Sequence, residues 1–118
     1  MPFRILREQA GGVARLLKAV ANARRLSILC ELAEGEKTVT DLQNLIGISQ
    51  SALSQHLARL RRDELVATRR DAQNIYYRLD DQYVPDLLGY LERFADVYDR
   101  EAANDRRPPA ERPDIAAE

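Results

Sequence analysis

The sequence predicts a mainly α-helical chain with one small β-hairpin, and three observations carry that expectation. Apolar residues recur at three- and four-residue intervals up to Leu65 and again after Val84. Residues that cap helices stand where those runs begin. Between Leu65 and Leu79 the pattern switches to period two and to β-prone residues. At 118 residues, the chain is long enough for one domain with one modest core.

The first helix is expected from about Glu8 to Val20, with Val13, Leu16, Leu17 and Val20 at helical spacing. Asn22 is placed to cap a second, "ARRLSILCELAEG", with Leu26, Leu29, Cys30 and Ala33 on one face and Gly35 as its stop. Thr38-Val39-Thr40-Asp41 fits a capping box and opens a short third helix through Leu45. Gly47-Ile48 then turns the chain, and Ser49 caps a fourth helix. In "SQSALSQHLARLRRDEL" the leucines at 53, 57 and 60 take the inner side, while Ser51, Ser54, Gln55, Arg59 and Arg62 take the outer. Two helices joined by a short turn containing glycine make a helix-turn-helix.

"LVATRR" and "NIYYRL" then read as two strands around a polar tip, Asp71-Ala72-Gln73, with Ile75, Tyr77 and Leu79 turned to the core. A last helix carries Val84, Leu87, Leu88, Leu91, Ala95 and Tyr98, and Pro85 falls in or near its first turn. From Asp105 onwards "DRRPPAERPDIAAE" is Pro-rich and charged. The organisation expected is a domain over 1–104 and a disordered tail over 105–118.

Composition narrows the function. Hydrophobic residues make up 45% and charged residues 31%, the balance of a folded soluble domain. No apolar run approaches the roughly 18–20 residues that span a bilayer, and "MPFRILREQAGG" has no apolar signal core, so a cytoplasmic protein without a membrane partner is expected. With one cysteine and one histidine, neither an internal disulfide nor a Cys/His zinc site can form within one chain, and no cofactor is expected. Nothing places Cys30 or another nucleophile beside His56, which argues against an enzyme. The net charge of −1 conceals an asymmetry: residues 50–79 hold six Lys/Arg against three Asp/Glu, and residues 80–118 hold five against eleven. The acidic balance therefore sits away from the fourth helix.

An outer face that opens with Ser and Gln and ends in Arg suits a DNA major groove. Ser and Gln both donate and accept hydrogen bonds at base edges, and arginines further along and on the hairpin meet phosphates. An ordinary solvated helix face is the alternative for the helix alone. The capped helix before it and a hairpin bearing Arg69, Arg70 and Gln73 favour a winged helix-turn-helix on double-stranded DNA. A winged-helix module for protein–protein contacts is the competing class, but Arg59, Arg61, Arg62, Arg69 and Arg70 within twelve positions favour phosphate. The first and last helices carry more apolar surface than so small a core covers, which points to a twofold dimer through Val13, Leu16, Leu17, Val20, Val84, Leu87, Leu88 and Leu91, with packing of the two helices within a monomer as the alternative.

"LSQSALSQHLARLRRDELVATRRDAQNIYYRL" resembles the ArsR/SmtB-type bacterial repressors, with Ile48 standing before "SQSALSQHL", and the likeness extends over roughly residues 13–98. The resemblance implies a homodimeric repressor on a palindromic operator. Carried over, its DNA-contacting positions are Gln50, Ser51, Ser54 and Gln55, with His56 and Arg59 nearby, and Arg69, Arg70 and Gln73 on the wing. The metal-sensing patterns of such repressors are missing: "KTVTDLQ" has no thiol, and the last helix has carboxylates but no histidine. The chain is most similar to the branch that senses persulfides or oxidants through two cysteines, one of them in an "ILC" context like that of Cys30. The partner position falls near Asp96, so an intramolecular bridge is not available. Cys30 reads either as a small buried thiol or as a single-thiol sensor. Control by an organic ligand, or constitutive repression as in nodulation-type regulators, stands as a third possibility.

Overall fold

The computed structural model describes residues 2–80 and 83–112. Three helices of the first half begin on a residue whose side chain caps their backbone. The Asn22 side chain accepts from the amides of Arg24 and Arg25, both at 3.0 Å, and starts α3, Ala23–Ala33. The Thr38 hydroxyl accepts from the Asp41 amide at 3.1 Å and the Asp41 carboxylate from the Thr38 amide at 3.3 Å, a complete capping box that opens α4, Val39–Ile46. Gly47 ends α4 at φ 77°, a left-handed position that glycine takes without strain. Ser49 accepts from the Ala52 amide at 3.1 Å and starts α5, Gln50–Arg62.

The chain divides into two compact units, Met1–Asp81 and Gln82–Glu118. In the first, Ile28, Leu29 and Leu32 of α3, Leu42 of α4, Leu53, Leu57 and Leu60 of α5, and then Leu65 and Val66 are buried. Each such side chain contributes roughly 1.5–3 kcal/mol relative to exposure. The hairpin pairs β2, Val66–Asp71, with β3, Asn74–Leu79, from Val66 opposite Leu79 to Asp71 opposite Asn74.

Several details differ from the sequence reading. The first helix is two: α1, Arg4–Glu8, and α2, Ala10–Val20, separated at Gln9. On α3 the buried side is Ile28, Leu29 and Leu32, whereas Cys30 and Ala33 are exposed. Both stripes obey helical spacing, and the core takes the one with the larger side chains. A third strand, β1, Lys37–Thr38, pairs antiparallel with β3 and gives the sheet order β1-β3-β2. Two residues are too few to show a period. The hairpin turn is shorter than expected, Ala72-Gln73, with Asp71 paired. Ala72 has φ 56° at the first central position, where a type II′ turn favours glycine. Tyr77 and Leu79 are half-buried as expected, but Ile75 is exposed because the hairpin has run past the core by that rung.

In the second unit α6 spans Tyr83–Ala103, with Pro85 in its first turn where a missing N–H costs nothing. Leu87, Leu88, Leu91 and Tyr98 are half-buried, and Tyr90, Phe94 and Val97 are exposed. The expected disordered tail falls partly outside the described residues, at 113–118. Within it, Asp105 accepts from Arg107 Nε at 3.0 Å and has its carboxyl pulled down to about 2 by that bond. A single helical turn follows at Pro109–Glu111.

Candidate nucleic-acid interface

The α4–Gly47–α5 arrangement presents one side of α5 outward because Leu53, Leu57 and Leu60 hold the other in the core. Gln50, Ser51, Ser54 and Gln55 are all exposed over the N-terminal half of α5, and His56 is half-buried at the edge of that surface. Burial, then the charges of Arg25 and Arg24, keep His56 below its ordinary value near 6.5, which makes it neutral at physiological pH. Arg25 is itself fixed by donating to the carbonyl of Ala19 at 2.6 Å and of Lys18 at 3.2 Å, closing the end of α2. Arg24 donates to the carbonyl of Ile46 at 3.5 Å, at the end of α4.

The exit from α5 aims the hairpin. The Leu65 amide donates to Leu60 at 2.9 Å and the Glu64 amide to Arg61 at 3.0 Å, while Glu64 takes φ 63°. These two bonds, with Glu64 left-handed, form a Schellman motif, and Leu60 and Leu65 at its two ends are both buried. The strand β2 therefore starts in a fixed direction from the helix.

The arginines divide into engaged and available groups. Arg59 donates to Asp63 at 2.9 Å, and Arg15 approaches the same carboxylate at 3.7 Å. Arg69 donates through Nε to both Glu36 oxygens at 2.9 Å, and its guanidinium lies 4.4 Å from the centre of the Tyr76 ring. Glu36 raises the pKa of Arg69 above its ordinary value, chiefly through that bond. Arg70 is exposed and has no ion-pair partner among the described residues, and Gln73 is exposed in the turn. Glu36, Tyr76 and Asp63 were missed by sequence reasoning. Asp63 was findable, since it stands four residues after Arg59 on one helix; Glu36 and Arg69 lie 33 positions apart with no local signal.

Of the apolar positions assigned to a dimer, Val20 and Val84 are buried within a single chain and have almost no surface left to give. Val13, Leu16, Leu87, Leu88 and Leu91 are half-buried, and Leu17 is exposed. Among the described residues no group of three or more His, Cys, Asp or Glu is placed to hold a metal, and no helix is long and apolar enough to cross a membrane.

A helix-turn-helix whose second helix runs through a fixed turn into a three-stranded wing defines a winged helix-turn-helix protein. The chain belongs to the ArsR family of bacterial regulatory proteins, whose profile matches residues 22–68. The transcriptional activator HlyU of Vibrio cholerae serotype O1 is 53% identical over 78 residues, covering 66% of this chain and 72% of that protein. The transcriptional repressor BigR from Xylella fastidiosa has a similar structure, with a TM-score of 0.75 at 38% identity, covering 80% of this chain and 96% of BigR. A homodimeric winged helix-turn-helix DNA-binding domain from Mycobacterium bovis, a possible ArsR-family regulator, gives a TM-score of 0.69 at 35% identity over 77% of this chain and 84% of that one. The chain is accordingly a regulator of transcription and not an enzyme.

Proposed function

We propose that this regulator is a homodimeric repressor that reads a palindromic duplex operator, with one α5 in each of two major-groove half-sites. The observation that carries the reading is the exposed, uncharged polar cluster Gln50, Ser51, Ser54 and Gln55 backed by three buried leucines. Such a surface offers donors and acceptors to base edges, and a rigid helix to hold them in register. Arg70 and Gln73 on the wing meet the backbone beside it, and His56 lies within the same footprint. Exposed Leu17 on α2, and on α6 exposed Tyr90, Phe94 and Val97, supply apolar surface for a second copy. The homodimeric Mycobacterium bovis relative supports a dimer. A twofold dimer sets the half-sites about 10 base pairs apart, or a multiple of that. Acting on operator DNA places the protein in the bacterial cytoplasm. Relatives named as activator and as repressor share this fold, and repression follows directly from a dimer covering promoter DNA. Cys30, exposed on α3, is where a single-thiol input would act.

Fluorescence anisotropy on duplex from the protein's own upstream region tests the reading. Binding should favour that duplex over a scrambled one by roughly 10³-fold or more, and log affinity should fall with log salt at about −0.9 per phosphate contacted. Equal affinity for the two duplexes, or a flat salt response, would overturn it; a flat response would favour a protein partner.

A further inference from the structure

We propose that Glu36 is a positioning residue for the wing: with the Tyr76 ring it holds Arg69 at the rung where three strands narrow to two, and so aims Arg70 and Gln73 at the duplex. The inference rests on the DNA-binding reading above. The register defines the rung. β1 meets β3 only at Lys37 opposite Tyr77 and Thr38 opposite Tyr76, while Arg69 faces Tyr76 from β2. Beyond that rung only Arg70 opposite Ile75, Asp71 opposite Asn74 and the Ala72-Gln73 turn remain, and Ile75 is 42% exposed. A two-stranded hairpin with no apolar face to bury is marginal by itself, so its direction depends on what braces its base.

Arg69 supplies that brace from three sides. Its backbone belongs to β2, its guanidinium stacks at 4.4 Å on Tyr76 of β3, and its Nε donates at 2.9 Å to Glu36, the residue immediately before β1. Only a planar guanidinium can stack with one face and donate from its edge, and a lysine cannot do both. Glu36 also compensates the charge of Arg69, which leaves Arg70 as the wing arginine available to a phosphate. The pair is partly exposed, with 47% and 34% of the two side chains accessible, so its contribution to global stability is small. Its effect lies in where the tip points.

The test compares the full-length wild type with Glu36→Ala, Arg69→Lys, Arg70→Ala and the double variant Glu36→Ala/Arg70→Ala, by anisotropy on operator and scrambled duplex over a salt series. Thermal midpoints are recorded alongside. Glu36→Ala and Arg69→Lys should each weaken binding at least as much as Arg70→Ala and flatten the salt slope by about one unit. The double variant should lose less than the sum of the two single losses, because both changes remove the Arg70 contact. Thermal midpoints should stay near wild type. Tighter binding and a steeper slope in Glu36→Ala would overturn the proposal by showing that Glu36 shields Arg69 from DNA. Additive losses, wild-type binding by Arg69→Lys, or a matching drop in thermal midpoint would overturn it too. Failure of the DNA-binding reading would appear separately, as wild-type protein without salt-dependent duplex binding.

Discussion

Asp63 accepts a 2.9 Å hydrogen bond from Arg59 one helical turn earlier, and only 7% of the Asp63 side chain is exposed. The bond holds the Asp63 carboxyl below its usual value, with the charges of Arg59, Arg62 and Arg15 adding to the effect. Breaking a shielded, charge-assisted pair leaves one partner unsatisfied. Asp63→Asn should therefore lose about 1–3 kcal/mol at pH 7 by urea unfolding. Because the folded-state pKa lies below the unfolded one, this stability is present above about pH 4 and is lost as pH falls through the folded value. A variant as stable as wild type at pH 7, or one whose deficit persists unchanged at pH 2, would remove Asp63 from this role. The same bond engages Arg59, which the sequence reading set near the DNA contacts, with a carboxylate of its own chain.

Gln55 stands exposed on α5 one residue before His56, on the outer side set by the buried leucines. A glutamine there can form a bidentate pair with adenine, so Gln55→Ala should cost about 1–3 kcal/mol on the operator and far less on random duplex. Competition binding with operator and scrambled DNA measures the difference. Equal losses on both would show that Gln55 touches backbone rather than a base.

Glu64 occupies the left-handed position of the Schellman motif at φ 63°, where a side chain adds strain that glycine lacks. Glu64→Gly should raise stability by up to about 1 kcal/mol without changing the wing. A lower urea midpoint would mean that the Glu64 side chain contributes more than its backbone costs.

Features closed within a few residues were legible: the caps at Asn22, Thr38 and Ser49, the glycine at 47, and the leucines at 53, 57 and 60 all stand as the spacing implies. Features that need the third dimension were not. Helical period allowed two inner faces for α3, and only packing chose Ile28 and Leu32 over Cys30 and Ala33. Period likewise marked Val20 and Val84 as apolar without telling surface offered to a partner from surface already covered. The exposed positions of α5 were readable because a helix has a definite outside. The role of Arg69 was not, because its partner Glu36 belongs to a distant loop.

His56 is kept below its ordinary value near 6.5 by burial and by Arg25 and Arg24. Its folded-state pKa therefore lies under the unfolded one, and the sign is fixed: the folded state carries no penalty above about pH 6.5 and loses stability as pH falls below it. Urea midpoints at pH 7.5 and 5.5 should differ more in wild type than in His56→Gln, which cannot take up the proton. The same acid sensitivity in both proteins would assign the effect to other groups.

Cys30 is exposed on α3, although its apolar neighbours in the sequence suggested burial. A thiol at the surface is open to reagents that a core thiol excludes, and its removal leaves no cavity. Native protein should therefore be alkylated at Cys30 by a maleimide without denaturant, and Cys30→Ser should change stability by no more than about 0.5 kcal/mol. Labelling only after unfolding would mean that the second copy covers this part of α3. Persulfide treatment of wild type and Cys30→Ser, followed by anisotropy on the operator, then separates chemistry from control. Loss of affinity in wild type alone makes Cys30 a one-thiol switch. A modified wild type that binds as tightly as the variant leaves the thiol reactive but uncoupled from α5.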